Sequence, residues 1–411
     1  IDWWAQLKRP ALTQLQEAAD ANNPTLAIAL ARIAEARAGV SSAQAGRQAY
    51  ANSSAVAQRS GNIQTGAREQ SYVGVSADAG WEVDLFGSVR RGNEAAQARL
   101  DARTADWHYA KVSMAAEVAN LYVNWTSCQQ VLGLYNRVAE SKQETARLTQ
   151  LRVNAGFTAK SDAHLASASV ADSLSAIKAQ NAQCQLYVKS LVTLTGLNEP
   201  KVREILATHD ANLPDFTPFA VSSVPVQLLS QRPDLAAAER DLAAASADIG
   251  SAEANRYPRL ALSGQLSLGL SLVGGSTTTT MPWSFGPSLS LPLLDGGRRK
   301  AAVSAAEARY AQSLGRYQQS VNQAVEEVER SLVLLDSVSQ RKASVQTSLA
   351  DYQAFFKSTE AAWKAGSASL LNVEDARRAS TNAQLNQMQL ERDTQLSWIA
   401  LYKSLGGGWK A

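Results

Sequence analysis

The chain of 411 residues repeats one plan twice, and this duplication limits its fold more than any other feature. The segment "NPTLAIALARIAEARAGVSSAQAGRQ" at 23–48 matches "RPDLAAAERDLAAASADIGSAEANRY" at 232–257. Further matches keep an offset of 209 or 210 residues: Pro24 with Pro233, Leu26 with Leu235, Arg47 with Arg256, and Gly196 with Gly406. A constant offset over so many positions indicates two copies of one structural unit.

The two copies predict the same order of elements. The first repeat, 1–209, is expected to hold a helix, two strands at about 50–60 and 72–86, and a long helical hairpin at about 88–196. The second repeat, 233–411, is expected to hold a helix, two strands at about 259–272 and 282–293, and a long helical hairpin at about 297–405. The loop-rich segment 210–232, which contains prolines, is predicted to join the repeats.

The strand predictions depend on strict alternation. In the stretch "LALSGQLSLGLSL", leucines fall on even positions, with mostly small polar residues between them: Leu260, Leu262, Leu266, Leu268, Leu270 and Leu272. A strand with one apolar and one polar face fits the wall of a transmembrane barrel that is lipid-facing outside and wet inside. For one strand alone, half of a soluble sandwich is the alternative. Aromatic residues near strand ends suit either a membrane interface or ordinary packing: Trp81, Trp283, Tyr72 and Tyr257.

Four strands per chain are too few to close a barrel, because the smallest membrane barrels have about eight strands. Open sheet edges are not tolerated in lipid, since backbone groups there have no water to bind. Several chains are therefore expected to share one barrel. Two chains would supply eight strands and three chains would supply twelve.

The long hairpins carry the seam of a coiled coil. Apolar and small residues recur in alternating steps of four and three at Met114, Val118, Leu121, Trp125, Cys128, Leu132, Tyr135 and Ala139, at Val170, Leu174, Ile177, Asn181, Cys184, Val188, Leu191 and Thr195, and at Val321, Val325, Val328, Leu332 and Leu335. This period predicts packed helices with a left-handed supercoil. A continuous helix of roughly 60 residues would extend for about 90 Å, far longer than a helix of a globular domain.

Composition and motifs exclude several classes of function. The net charge of +3 is small and no Lys/Arg cluster lies on a motif that enters a nucleic-acid groove, so no nucleic-acid partner is predicted. No apolar run approaches the ~20 residues of a membrane-spanning helix. His108, His164 and His209 lie far apart, and no metal-ligand, nucleophile or phosphate-loop motif is present. The sequence therefore predicts a non-enzyme with no catalytic residue, metal or cofactor.

Several segments resemble the outer-membrane efflux protein family, and in particular the outer-membrane factors of resistance–nodulation–division pumps. The resemblance covers essentially the whole chain and is clearest in "QRPDLAAAERDLAAASADIGSAEANRYPRLALSG" (231–264), "GFTAKSD" (156–162), "AGSASLLNVEDARR" (365–378) and "SLGGGW" (404–409). One departure is Val153 where the second hairpin has the aromatic Trp363 before its turn glycine. The lipid-bearing cysteine of many relatives would lie upstream of Ile1, and the start "IDWWAQLKRPAL" has no signal-peptide pattern.

The resemblance implies a mainly α-helical protein with a β-barrel part. Long helical hairpins would form a periplasmic α-barrel, and four strands per chain would complete a twelve-stranded outer-membrane barrel in a homotrimer. The implied function is passive export of drugs or other small compounds, delivered by an inner-membrane pump and a periplasmic adaptor protein. An exit duct for secreted proteins has the same architecture and is the alternative. A soluble scaffold would leave the apolar alternation of the strands unexplained.

A disulfide between Cys128 and Cys184 is predicted from register. Gly156 interrupts the helical pattern midway between them, so an antiparallel hairpin that turns at Gly156 brings both cysteines level. Both lie on the predicted seam, and the periplasm is an oxidising compartment. The alternative is two buried free thiols, since a bridge requires Cα atoms within ~7 Å. Val338 and Thr394 occupy the matching positions of the second repeat, which indicates a structural bridge.

The two hairpin turns are predicted to carry the partner contacts. Gly156 and Gly366 interrupt helical runs at equivalent places, and glycine permits the positive φ of a tight reversal. The resemblance adds contacts with the adaptor at both turns and assigns them to Gly156, Thr158, Gly366 and Ser367.

The resemblance also implies a gate on the helix that follows Gly366. Leu371 matches an apolar ring, Asp375 matches an acidic ring, and Arg378 matches a basic residue that helps to hold the closed state. Three carboxylates around a narrow pore would favour cations and resist anions. Glu374 would either deepen the acidic ring or pair with Arg378 at i+4. By itself, "EDARR" is typical of a solvated helix face with local ion pairs.

Overall fold

The computed structural model describes residues 9–62, 67–208 and 231–407. Its helices are α1 (Pro10–Asn22), α2 (Pro24–Ala45), α3 (Ser88–Asn154), α4 (Lys160–Thr195), α5 (Glu199–Ala207), α6 (Pro233–Ala254), α7 (Arg298–Lys364) and α8 (Leu370–Ser404). Its strands are β1 (Tyr50–Asn62), β2 (Ala67–Val83), β3 (Arg259–Val273), β4 (Ser276–Thr280) and β5 (Trp283–Ser290). His209 and nearly all of the predicted joining segment 210–232 lie outside the described residues.

The chain divides into two compact units, and each unit takes segments from both repeats. The sheet unit consists of residues 29–106 and 234–320 and holds all five strands. The hairpin unit consists of residues 1–28, 107–233 and 321–411 and holds both hairpin turns. The sequence repeat therefore does not coincide with the compact units.

The sheet is antiparallel, with β2 between β1 and β3, and with β4 and β5 both paired to β3. The second strand of the second repeat was expected over 282–293. The structure has β5 there and adds the unpredicted β4 before it, on the same edge of β3, with a break at Pro282. Pro282 explains the break, because proline has no N–H to donate to the ladder. Its carbonyl still accepts from the N–H of Ser267 at 2.9 Å.

The strand β2 ends at Val83, three residues before the predicted end. Its next residue, Asp84, turns away from the sheet and accepts hydrogen bonds from the N–H groups of Val89 (3.1 Å) and Arg90 (2.8 Å) at the start of α3. Carboxylates are favoured at this end of a helix, where N–H groups lack partners. The apolar Leu85 continues the alternation in the sequence but lies outside the strand and is exposed.

One face of the sheet is apolar and exposed in the single chain. It includes Val73 and Val75 on β2, which pair with Leu270 and Leu268 on β3, and also Leu266 and Leu272 on β3. Each of these side chains would cost free energy in water, at about 25 cal/mol per Å² of apolar surface. The sheet therefore presents a continuous apolar surface that nothing in the described part of the chain covers.

The core of the hairpin unit lies between α1, α3, α4 and α5. Leu12 and Leu15 of α1 are buried there, together with Val118 and Tyr122 of α3. The side-chain amide of Gln16 donates to the carbonyl of Ala115 at 2.7 Å, which fixes α1 against α3. The predicted seam of α3 is buried at several positions: Met114, Val118, Trp125, Cys128 and Ala139.

The predicted seam of α7 differs in part from the face that is buried within the single chain. Val325 was expected to face a partner helix but is 41% exposed, while Ala324, Val328 and Ser331 are buried. Small side chains at Ala324 and Ser331 allow close approach of the helices, so apolar character alone misplaced the contact face. On α4, Leu174 was expected on the seam and is 42% exposed.

Two of the segments that carry the resemblance contact each other, the start of 231–264 and the segment 404–409. Arg232, 2% exposed, donates to the carbonyl of Ser404 at the end of α8 (2.8 Å) and forms an ion pair with Glu327 of α7 (2.8 Å). Gly406 has a φ of 84°, and a Cβ on it would lie 2.9 Å from the carbonyl oxygen of Gln231. Arg232 and Gly406 thus anchor the base of the second hairpin.

Candidate functional site at the hairpin turns

Both hairpins reverse through the same backbone motif. Gly156 and Gly366 have φ values of 76° and 84°, in the left-handed region. Each glycine N–H donates to the carbonyl three residues earlier at 3.0 Å, and the next N–H donates to the carbonyl five residues earlier, at 2.8 Å in the first turn and 2.9 Å in the second. These bonds form a Schellman cap, which requires a residue with positive φ. The two turn glycines therefore have the conformation predicted from the sequence.

The polar side chains predicted at the turns have partners within their own turns. The Thr158 hydroxyl donates to a carboxylate oxygen of Asp162 at 2.7 Å, and the Ser367 hydroxyl donates to the carbonyl of Ala362 at 3.0 Å. Phe157 is 83% exposed in the first turn and was not predicted as a contact residue. The available signal was its position: an aromatic residue directly follows the turn glycine, where the second turn has Ser367.

The predicted gate residues occupy two different faces at the start of α8. Leu371 is exposed, and Asp375 forms an ion pair with Arg378 at 2.9 Å, with side chains 54% and 74% exposed. Asp375 and Arg378 thus form the local pair on a solvated helix face that their sequence pattern favours. In the single chain, these three residues share an accessible surface.

Glu374 differs from both expected roles. Its side chain is only 13% exposed, so it does not extend the accessible acidic surface of Asp375. It pairs with Arg377 at i+3, rather than with Arg378 at i+4. The physical reason is burial: Arg377 is 3% exposed, and a buried guanidinium requires a carboxylate partner.

The Glu374–Arg377 pair contacts three other helices. Arg377 donates to the hydroxyl of Thr145 on α3 at 2.7 Å and lies over the ring of Phe356 on α7, 5.4 Å from its centroid. Glu374 accepts a hydrogen bond from the hydroxyl of Ser169 on α4 at 2.9 Å. Sequence reasoning missed Arg377, because "EDARR" supplies two acid–arginine pairs and does not tell which one faces inward.

A small apolar core lies beside the second turn. Trp363, Leu370 and Val373 are buried there against Ala166 of α4. Arg152, near the end of α3, lies over the ring of Trp363, 4.9 Å from its centroid, and donates to the Trp363 carbonyl at 3.1 Å. Arg152 therefore caps α7 from the neighbouring hairpin.

A cavity of about 450 Å³ lies between the start of α8 and the first hairpin, beside the contacts of Glu374 and Arg377. Leu371, Asp375 and Arg378 line it from α8, and Lys142 and Asp172 line it from α3 and α4. The cavity has charged groups of both signs on its walls. The predicted gate residues thus have free space on the side that faces the first hairpin.

Cys128 and Cys184 form a disulfide in the structure, with their Cα atoms 5.7 Å apart. The bridge joins α3 to α4 across the first hairpin, at the level that the count from Gly156 predicts. In the second hairpin, Val338 is buried at the matching position, and a cavity of about 540 Å³ that it lines lies between α3, α7 and α8.

No group of three or more His, Cys, Asp or Glu residues in the described part of the chain has the arrangement of a metal site. Burial, with a smaller effect from the charge of Lys111, lowers the pKa of His108, which lies edge-on to Trp107. Within residues 9–62, 67–208 and 231–407, none of the helices has the length and hydropathy needed to cross a membrane.

Comparisons with known proteins agree over nearly the whole length. A family model described as "Outer membrane efflux protein" matches residues 15–197 and 224–407. The chain is 30% identical to Nodulation protein T of Rhizobium leguminosarum bv. trifolii, covering 98% of this chain and 86% of that protein. It is 30% identical to the pyoverdine export outer membrane protein OpmQ of Pseudomonas putida, covering 100% and 88%. The solved structure of the outer-membrane channel OprN superposes with a TM-score of 0.87 at 30% identity, covering 99% and 92%.

Proposed function

Because the chain belongs to the outer membrane efflux protein family, and is an outer-membrane protein with a periplasmic helical extension, we propose that it is the exit duct of a tripartite efflux pump. Its three copies would pass small compounds passively from the periplasm to the exterior. An inner-membrane pump would supply the energy, and a periplasmic adaptor would join pump and duct. OpmQ is named for the export of pyoverdine, which supports efflux ahead of protein secretion.

The observation that carries this proposal is the sheet. It has an exposed apolar face, and within the described residues β1 pairs only with β2, while β4 and β5 pair only with β3. In lipid, unpaired edges leave N–H and C=O groups without partners. Further copies of the chain would pair these edges, and three copies would give a twelve-stranded barrel with its apolar face toward lipid.

The stoichiometry tests this proposal directly. Native mass spectrometry in mild detergent is expected to give three chains per particle. An intact barrel in a monomer or dimer would contradict the proposal. Removing detergent is expected to cause aggregation, because the apolar face of the sheet would then meet water.

The hairpin turns are proposed as the adaptor contact. Gly156, Thr158, Gly366 and Ser367 keep the turns tight, and the exposed Phe157 adds an apolar side chain to the first turn. Bulky substitutions at Gly156 and Gly366 are expected to reduce both adaptor cross-linking and drug export in cells. If both stay at the wild-type level while the trimer forms, the adaptor binds elsewhere.

The gate is proposed at Leu371, Asp375 and Arg378, where three copies of α8 would converge on the pore axis. Asp375→Ala with Arg378→Ala is expected to raise the ion conductance of the isolated trimer in planar bilayers, because the pair that holds the closed state is lost. It is also expected to weaken cation preference, because three carboxylates leave the constriction. Unchanged conductance and selectivity would place the gate elsewhere.

A further inference from the structure

We propose that Tyr50 and Tyr72 form two aromatic platforms on the inner wall of the duct, and that planar aromatic cations stack on them as they pass. The proposal rests on the exit duct proposed above and adds a chemical class of compound that the wall itself binds. Both tyrosines and the glycines that they contact lie within the sheet unit.

The register of the sheet places both tyrosines on its polar face. Tyr50 pairs with Gly80 and Tyr72 pairs with Ser271, in the rows that alternate with the leucines of β3. In an outer-membrane barrel, the apolar face meets lipid and the polar face lines the lumen. Within the described strands, these two tyrosines are the only aromatic residues on the polar face.

Tyr72 lies across two glycines that pair with each other. Gly74 on β2 is directly opposite Gly269 on β3. A Cβ added to Gly74 would lie 2.8 Å from Cε1 of Tyr72, and a Cβ added to Gly269 would lie 2.7 Å from Cε2 of the same ring. The ring therefore rests with both edges on bare backbone, in space that a side chain at either position would fill.

Tyr50 covers Gly80 in the same way, near the other end of β2. A Cβ added to Gly80 would lie 2.7 Å from Cζ and 2.8 Å from Cε1 of Tyr50. Tyr50 remains 58% exposed, so its ring lies on the wall and is still accessible from the polar face. Gly74 and Gly80 are six residues apart, roughly 20 Å along a strand, so the two rings lie at two levels of the wall.

The glycines hold the rings in fixed positions. Glycine inside a strand weakens it, and an aromatic ring that covers the glycine supplies the missing packing. Gly286 on the same face has no such cover, because no atom of the described residues apart from its chain neighbours lies within 4 Å of a Cβ added there. A ring that is already immobile loses little freedom when a second ring stacks on it.

The charges beside Tyr50 favour cations. Asp78 and Glu82 lie two residues before and after Gly80 on β2, so their side chains leave the sheet on the same face as the ring of Tyr50. A planar compound gains affinity by stacking on the ring, and a positive charge adds cation–π attraction and attraction to the carboxylates. Each platform is expected to raise affinity by only about three- to tenfold, so that a bound compound leaves again.

Binding of ethidium, a planar aromatic cation, tests the platforms on the purified trimer in lipid nanodiscs. Equilibrium dialysis measures the bound dye, and the dye taken up by empty nanodiscs is subtracted. Tyr50→Leu with Tyr72→Leu is expected to weaken binding by about three- to tenfold, whereas Tyr50→Phe with Tyr72→Phe keeps both rings and is expected to bind as the wild type does. Equal binding by the leucine variant and the wild type would overturn the proposal.

The position of the ring is tested by Gly80→Ala in the Tyr72→Leu background, where only the platform at Tyr50 remains. The added methyl group displaces the ring from the wall, so ethidium binding is expected to fall to the level of the double leucine variant. The matched control is Gly286→Ala in the same background, which is expected to change nothing. Undiminished binding by the Gly80→Ala protein would show that the wall does not position the ring, which contradicts the platform.

A comparison of two probes on the wild type decides the point if the leucine variants do not assemble. Tetrapropylammonium, a cation without a ring, is expected to bind at least about threefold more weakly than ethidium. Equal binding of the two cations would overturn the proposal.

Export of ethidium from cells separates the platforms from the duct. If the wild-type trimer binds ethidium as expected but cells gain no export of any compound, the duct proposal fails while the binding sites stand. If export is present and the leucine variant still binds ethidium like the wild type, the platforms are wrong and the duct stands.

Discussion

The two helical hairpins have nearly the same dimensions but are held together in different ways. In the first hairpin, α3 has 67 residues and α4 has 36; in the second, α7 has 67 and α8 has 35. The first hairpin is closed internally by the disulfide between Cys128 and Cys184. At the same level, the second hairpin has Val338 and Thr394, which lack thiols. Near its turn, Arg377 and Glu374 form hydrogen bonds with Thr145 and Ser169 of the first hairpin.

This difference shows how duplication can produce unlike parts. One copy is covalently closed and serves as a frame, while the other depends on noncovalent contacts with that frame. A covalent bond within a hairpin does not respond to small changes in contacts, but the hydrogen bonds that join the second hairpin to the first do. If the duct has a gate, we therefore expect its movement to come from the second hairpin.

Removing the disulfide of the first hairpin is expected to have the largest effect on the free energy of unfolding. Cys128→Ser with Cys184→Ser should lower the free energy of unfolding by about 4 kcal/mol, because the bridge closes a long loop in the unfolded chain. Thermal denaturation in detergent, followed by far-UV circular dichroism, measures the effect. A reducing agent should destabilise the wild type but leave the double variant unchanged. Equal stability of the two oxidised proteins would show that the bridge contributes nothing to the frame.

Installing a bridge in the second hairpin would make the hairpins alike. Val338→Cys and Thr394→Cys have the same sequence separation as the native pair, 56 residues. The new bridge is expected to add at most about 4 kcal/mol, and less if the helices must adjust to it. Oxidised protein should also open less readily in bilayer recordings than the same protein after selective labelling of the reduced cysteines. Identical opening would mean that α7 and α8 move as one rigid pair.

Substitutions of the two turn glycines are expected to cost the same free energy of unfolding, so these sites serve as a reference for the comparison of the hairpins. Gly156→Ala and Gly366→Ala should each cost about 1–2 kcal/mol, because a side chain disfavours the left-handed conformation. Apart from the glycine and its chain neighbours, no atom of the described residues lies within 4 Å of an added Cβ at either site, so backbone strain is expected to set the cost. Thermal melts of both variants provide the measurement. A much larger loss at one turn would indicate an additional role there.

The helix starts after the turns differ, and this gives the smallest predicted effect. Ser369 caps α8 by accepting from the N–H of Asn372 at 3.2 Å, whereas Ala159 before α4 has no side chain to do so. Ser369→Ala should cost about 1 kcal/mol, and Ala159→Ser should gain about 0.5–1 kcal/mol. Melting curves of the two single variants decide the point. Two changes of the same sign would contradict the capping difference.

Much of the fold could be predicted because periodicity reports local structure. Alternation located β3, and the glycine interruptions located both turns, since both signals are contained within a few residues. The strand β4 before Pro282 was missed. The apolar period of α7 misplaced its contact face, because the buried Ala324 and Ser331 contribute little apolar character.

The candidate site was only partly predictable, because burial depends on distant segments. Asp375 and Glu374 are neighbours in the sequence, and either could have faced outward. Glu374 faces inward because Ser169 binds it and Thr145 binds its partner Arg377, both from more than 200 residues away. Arg152 is a second example, since its contact with Trp363 joins two turns whose pairing no local pattern encodes.

The anchor at Arg232 has a consequence for the order in which the protein matures. Its bond to the Ser404 carbonyl spans 172 residues, whereas the bridge of the first hairpin spans 56. Once the chain is in the oxidising periplasm, the first hairpin can therefore close its bridge without any residue of the second hairpin. The base of the second hairpin is fixed only when the final residues have arrived. A chain truncated before Ser404 is therefore expected to form the disulfide of the first hairpin but to lack the contact that fixes the base of the second hairpin.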